Sequence, residues 1–200
     1  IQPEEHKPGK ALIIDIDSTS HVQHGDQMEG LAWNYKGEWC LDSQVAFDDL
    51  GFCHGVQLRS GNTKSGVNSP HLIEHCFSEM KYEEEKFFRA DSAYCFEEVI
   101  RTLMRLGVTY TIAAHDGTTD WRSHIHEITE WQPWVYTKEE LEKAEKRRKS
   151  LPQTEIGRFH WTPSWAPNIR IPVIVKRTWK EPEQLDLLTL PGEWQSYGIL

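Results

Sequence analysis

The sequence predicts an α/β fold built on a mixed β-sheet, and three observations carry that prediction. Three strand-like runs follow one another in the first third of the chain, separated by turn residues. Helix, strand, helix and strand then alternate, the pattern that gives parallel crossovers. Two buried-type strands also end in carboxylates: Leu12-Ile13-Ile14-Asp15-Ile16-Asp17-Ser18-Thr19, and Phe87-Phe88-Arg89-Ala90-Asp91-Ser92-Ala93-Tyr94. A buried strand that ends in an unpartnered carboxylate is costly. Two of them in one domain point to a shared partner, and a divalent cation is the simplest one.

Each element has a local reason. Residues 1–10 are polar and read as a tail or linker. Residues 11–18 form a continuous β-branched run, closed by the polar Ser18-Thr19-Ser20. Gly25 to Lys36 is irregular, with a short strand at Leu31 to Tyr35. Trp39 to Phe47 and Phe52 to Leu58 read as strands joined by the turn Asp48-Asp49-Leu50-Gly51. Arg59 to Thr63 is a loop. Ser69 and Pro70 open a helix, as N-cap and first position, with Leu72, Ile73, Cys76, Phe77 and Met80 on one face. Phe87 to Ala90 is the next strand. Phe96, Val99, Ile100, Leu103 and Met104 mark a second amphipathic helix, closed by Gly107, and Val108 to Ala114 is the strand that follows.

After His115 the texture changes to Trp, Pro and charge. Thr137-Lys138-Glu139-Glu140 has the capping-box form. The helix it opens, to about Lys149, carries only Leu141 and Ala144 as apolar residues and reads as solvated. Ile171 to Lys176 and Leu185 to Leu190 read as strands. The expected division is a core over 11–114, an insertion subdomain over 115–190, and the start of a return to the core over 191–200.

Composition sets bounds on function. The chain has 200 residues and a net charge of −9, which argues against a free-standing DNA-coating protein. No stretch approaches the roughly 18 apolar residues of a membrane span. The four cysteines form no CxxC pair and read as reduced thiols of a cytosolic protein. The chain lacks an initial Met and ends on Gly198-Ile199-Leu200 in a strand-like run, so it is expected to be a piece of a longer protein.

Asp15 and Asp17 are two residues apart on one strand, so they share a face. Asp17-Ser18-Thr19 is also turn chemistry, and Asp91 also suits the start of the helix that follows. Hard cations such as Mg²⁺ favour carboxylate oxygens, and two carboxylates side by side repel unless a cation joins them. The histidine pairs 21/24, 71/75 and 124/126 come without an HExxH motif and read as structural or surface groups. Lys146-Arg147-Arg148-Lys149 reads either as a phosphate contact or as a solvated helix end. The tryptophans at 121, 131, 134, 161 and 165 read as insertion core.

Several of these stretches, in order and spacing, resemble the catalytic domain of bacterial insertion-sequence DDE transposases of the group 1 type. Leu12 to Thr19 resembles the first-aspartate strand of that family, (V/L)LDxDxT/S. His24-Gly25-Asp26-Gln27-Met28-Glu29-Gly30 is similar to its H/Y-G-x-Q-E-G segment, with one extra residue. Leu58-Arg59-Ser60-Gly61-Asn62-Thr63 is similar to its L-R-x-G-N loop. Arg89-Ala90-Asp91-Ser92-Ala93-Tyr94 resembles its R-x-D-S-G-F/Y motif, with Ala93 in place of Gly. Ile171 to Arg177 resembles the R-V-V-V-x-R strand of its insertion.

The resemblance implies a ribonuclease H-like fold: a mixed five-stranded sheet flanked by helices, with a β-rich insertion after the fifth strand. It implies Asp17 and Asp91 as catalytic and metal-binding residues, with Asp15 as the alternative to Asp17, and Mg²⁺ or Mn²⁺ as cofactor. Arg59, Asn62 and Arg89 become candidate DNA contacts. The implied activity is phosphodiester cleavage and strand transfer on double-stranded DNA, both transposon ends and target, with a homodimer in the synaptic complex and no membrane. The implied location is the bacterial cytoplasm, at the nucleoid. The family's third carboxylate sits in a later Y-x-x-R-x-x-x-E helix, which has no counterpart here. The full-length protein is therefore expected to be the enzyme and this fragment alone inactive. The alternatives are a decayed, non-catalytic remnant that only binds DNA or protein, and a related nuclease.

Overall fold

The computed structural model describes residues 11–78, 85–181 and 192–200, and the chain divides into two compact units, 1–118 and 119–200. The first unit is organised around β1 (Leu12–Val22), on which Leu12, Ile14 and Ile16 are buried while Asp15 and Asp17 turn to the opposite face. The strand runs on past Ser18, where the sequence suggested an end, because its polar half pairs antiparallel with residues 40–44 of the neighbouring strand. Backbone pairing outweighs the side-chain signal there.

β2 (Ala32–Trp33) is a two-residue strand, and β3 (Trp39–Asp48) and β4 (Cys53–Ser60) form a hairpin. α1 (Ser69–Ser78) leads to β5 (Lys86–Ala90), and α2 (Glu97–Arg105) leads to β6 (Thr109–Ile112). The five longer strands lie in the order β4-β3-β1-β5-β6, with β2 added at the edge of β3. β3 runs antiparallel to β1, and β5 and β6 run parallel to it. The sheet is mixed, as expected, but has six strands rather than five.

Ile14, Ile16, Ala46, Phe88 and Ile112 form the buried face of this sheet. α1 and α2 pack against each other, α1 also on β3 and β4 and α2 also on β6, with Leu72, Ile73, Val99, Ile100 and Leu103 turned inward. Truncating any of these to Ala would cost about 2–5 kcal/mol. Both helices thus cover one face rather than flanking the sheet. The other face carries Asp15 and Asp17, and there Phe47, Val56 and Leu58 are 41%, 62% and 66% exposed.

Ser69 is not an N-cap. Its hydroxyl donates to the Ser65 carbonyl and accepts from Gln44 Nε2, both at 2.8 Å. Gly107 closes the α2 turn at φ +65°, as its sequence position suggested. Met80 of the expected α1 face lies outside the described residues.

In the second unit a 3₁₀ turn, Trp121–Glu127, precedes β7 (Gln132–Pro133), α3 (Lys138–Lys146), β8 (Thr154–Trp161), β9 (Ile171–Lys180) and β10 (Glu193–Ile199). The four strands form an antiparallel sheet in the order β10-β9-β8-β7. α3 begins at the capping box read from sequence: Thr137 Oγ1 accepts from the Glu140 amide, and Glu140 accepts from the Thr137 amide. Trp121, Phe159, Trp161, Val173 and Val175 are its core, and Trp161 Nε1 donates to Asp120 at 2.7 Å.

Glu193–Ile199 was expected to begin a return to the first sheet; it is instead the edge strand of the second. Trp194 lies opposite Trp179 with ring centroids 5.4 Å apart, a cross-strand contact that supports the pairing. The strand expected at Leu185 to Leu190 lies outside the described residues. Among the described residues, no helix is long and apolar enough to cross a membrane.

Candidate metal centre

β1 and β5 are parallel neighbours whose register places Asp15 opposite Arg89. Asp17 and Asp91 are each two residues further on, Asp17 in the middle of β1 and Asp91 just past the end of β5. Paired residues share a face, and adjacent strands lie about 4.8 Å apart. Asp17 thus shares the open face with Asp15, and both Asp17 and Asp91 are exposed.

Each carboxylate has one oxygen committed to local backbone. Asp17 Oδ1 accepts from the Ser18 amide at 2.7 Å. Asp91 caps the 3₁₀ turn Ser92–Tyr94, its Oδ1 accepting from the Ala93 amide at 2.8 Å. Asp91 thus serves this short turn and not α2, whose cap position is Phe96. The amides orient the carboxylates, and neither Oδ2 has a hydrogen-bond partner among the described residues. Two hard oxygen donors on adjacent strands fit a cation such as Mg²⁺, which takes one or two carboxylates and keeps several waters. Among the described residues, no group of three or more His, Cys, Asp or Glu side chains converges as a metal site.

Asp15 is occupied. Arg89 grips it in a bidentate pair, Nε to Oδ1 at 2.7 Å and Nη2 to Oδ2 at 2.6 Å. Asp15 raises the Arg89 pKa through the hydrogen bonds and its charge. Both partners are substantially exposed, so the pair positions more than it stabilises.

Arg59 is placed differently from the sequence expectation. It stands opposite Asp42 in the β3–β4 register, on the helix-covered face and therefore away from Asp17. It is 7% exposed. Its Nη2 donates to both Asp42 oxygens, at 3.1 and 2.8 Å, and its Nη1 to the carbonyls of Ser65 and Val67, at 3.0 and 2.9 Å. Arg59 holds the 60–68 loop and cannot reach a phosphate. Asn62 is exposed and accepts a hydrogen bond from Ser60 Oγ.

Residues 3–187 match the family described as transposase DDE domain, group 1. The chain belongs to that family. The DDE domain is also similar to a chain in the cryo-EM structure of the piggyBac transposase synaptic complex with hairpin DNA. There the identity is 10% and the TM-score 0.42, over 85% of this chain and 33% of that one. This DDE domain thus spans about a third of the length of that transposase chain. No curated protein matches it.

Sequence reasoning missed the polar cluster that supports the segments carrying Asp17 and Asp91 in the DDE domain. Gln44 is fully buried, and its Nε2 reaches the Ser65 carbonyl, Ser69 Oγ and the Tyr94 hydroxyl. Burial pushes the Tyr94 hydroxyl pKa up, against hydrogen bonds with Gln44 and Ser18. Ser18 also meets Ser65, Oγ to Oγ, at 2.9 Å. Ser18 follows Asp17 and Tyr94 closes the Asp91 turn, so both carboxylates hang on one buried support. The run of Asp42, Ser43 and Gln44 inside a strand was the available signal. The histidines take separate partners: His21 meets Ser43, and His124 meets Asp120 and Glu127.

Proposed function

We propose that this chain is the catalytic core of a bacterial insertion-sequence transposase that cleaves and joins DNA phosphodiesters with Mg²⁺ or Mn²⁺. The observation that supports the reading is the parallel β1–β5 pairing, in which Asp15 stands opposite Arg89 and Asp17 and Asp91 follow two residues on, each with one carboxylate oxygen oriented by a backbone amide. The fold assigned to it is ribonuclease H-like, on the strand order β4-β3-β1-β5-β6 with one antiparallel β3–β1 pairing at its centre.

Asp17 and Asp91 would hold the divalent cations, which would supply activation of water or a 3′-hydroxyl and charge stabilisation at the leaving oxygen. The Ser18 and Ala93 amides hold the two carboxylates in the binding orientation. Arg89 keeps Asp15 neutralised, which limits repulsion on the shared face. Its guanidinium, 55% exposed, is the group on this face suited to a DNA phosphate, with Asn62 as a further candidate. The third carboxylate of the family comes from outside the described residues. The substrate is double-stranded DNA at transposon ends and target, and the working state is a dimer in the cell's cytoplasm.

Mn²⁺ titration of the 200-residue chain, followed by electron paramagnetic resonance, tests the site. The chain is expected to bind Mn²⁺ weakly, and Asp17→Asn or Asp91→Asn to abolish binding, while Asp15→Asn leaves it. In a version extended to include the expected glutamate helix, the same two changes should abolish Mg²⁺-dependent nicking of end-containing DNA without changing the melt. Full Mn²⁺ binding by folded Asp91→Asn protein would sink the assignment.

A further inference from the structure

The second unit holds a cleft that the metal site does not use. Its volume is about 360 Å³, and it is lined by Thr129, Glu130, Gln132, Ile156, Gly157, Arg158 and Ile174. It lies on the outer face of the second sheet: Arg158 is opposite Ile174, and Gln132 is opposite Ile156. Ile174 is 43% exposed and Arg158 is exposed. Neither Arg158 nor Glu130 is paired with another described residue. An open cleft thus combines an apolar floor, a free guanidinium, a free carboxylate and a side-chain amide.

This set has a definite chemical complement. Ile156 and Ile174 suit the face of a flat ring. Glu130, an acceptor only, needs N–H donors at the ring edge, and Gln132 supplies both a donor and an acceptor. Arg158 suits a phosphate. On the next cross-strand row, Tyr197 and Lys176 stand opposite each other and extend the face with one exposed aromatic ring and one cation. A duplex hides its ring faces and would leave the isoleucines uncovered; a single strand presents both rings and phosphates. We propose that this cleft takes one unpaired nucleotide of a single DNA strand. Guanine, with two adjacent N–H donors on one edge, is the best-matched base. The inference rests on the reading of the chain as a DNA enzyme, but the cleft lies in the second unit and needs no metal.

Fluorescence anisotropy with the 200-residue chain tests it. The probe is a labelled single-stranded thymidine oligomer with one central guanine, compared with the same strand carrying an abasic site there, and with its duplex. The guanine strand is expected to bind best. Arg158→Gln should weaken it about tenfold and flatten the salt dependence by about 0.7 in log–log slope. Ile174→Ser should weaken the guanine strand more than the abasic one. Asp17→Asn with Asp91→Asn should leave binding unchanged, so a failed metal site and a failed cleft give different results. Equal binding of guanine and abasic strands, tighter binding of the duplex, equal competition by poly-glutamate, or no effect of Arg158→Gln would each overturn the proposal.

Discussion

Replacing Arg59 by Met separates a scaffold arginine from a DNA contact. The change removes the guanidinium and keeps a side chain of similar length. Asp42, 9% exposed at its side chain, is left as an uncompensated carboxylate, and the Ser65 and Val67 carbonyls lose their Nη1 donor. Removing one member of a buried pair costs about 3–5 kcal/mol, a large part of the roughly 5–15 kcal/mol that holds a domain folded. With a urea slope of about 2 kcal/mol per M, the unfolding midpoint should fall by about 2 M. The double change Arg59→Met with Asp42→Leu should recover most of the loss, because an apolar pair of similar volume replaces the ionic one. Urea unfolding followed by tryptophan fluorescence reads both. A midpoint within about 0.3 M of the parent, with DNA affinity reduced, would refute the scaffold role and restore the phosphate contact.

Two further outcomes follow from ionisable groups with identified partners. Burial raises the Asp48 pKa, but His54 Nε2 and the Phe52 and Leu50 amides hold it below 3.8 overall. Its contribution to stability is therefore present above the unfolded value and lost as pH falls through the lowered folded one. Asp48→Asn should flatten the acid limb of a urea midpoint–pH curve, and an unchanged limb would contradict this. His124 is raised above 6.5, first by its hydrogen bond to Glu127 and also by Asp120. It stabilises the fold below the unfolded value and loses that contribution as pH rises through the folded one. An NMR titration should find its pKa above 6.5, moving back toward that value in Glu127→Gln.

Local signals were legible in the sequence and long-range register was not. The α3 capping box needs only Thr137 and Glu140, three residues apart, and it was read correctly. The adjacency of the Asp17 and Asp91 strands was also legible, because a crossover helix between two buried runs leaves few other arrangements. Arg59 was misread because its partner is fixed by the β3–β4 register, which no local pattern encodes. Ser69 was misread because a Ser-Pro pair looks the same whether its hydroxyl caps a helix or enters a core network. Gly61 shows the reverse: the sequence placed it only within a loop. A Cβ there would lie 2.0 Å from the Cys40 carbonyl oxygen, so the residue is set by the approach of another strand. The Glu193–Ile199 pairing was hidden because its partner strand is set by long-range register, Trp194 opposite Trp179, which no local pattern encodes.

The buried amide of Gln44 has a consequence for how the molecule opens. Its Nε2 touches the 60–68 loop, the start of α1 and the turn after Asp91, while Ser18 closes the circuit from β1. No one of these segments can detach without stranding polar groups in the others, so local unfolding there is all-or-none. In native-state hydrogen exchange, the Ser18 and Ala93 amides, which hold the two carboxylates, should share one opening free energy although they lie on different strands. Gln44→Leu should split them into two. The spacing of the carboxylates would then fluctuate with two independent openings, though the change touches neither aspartate.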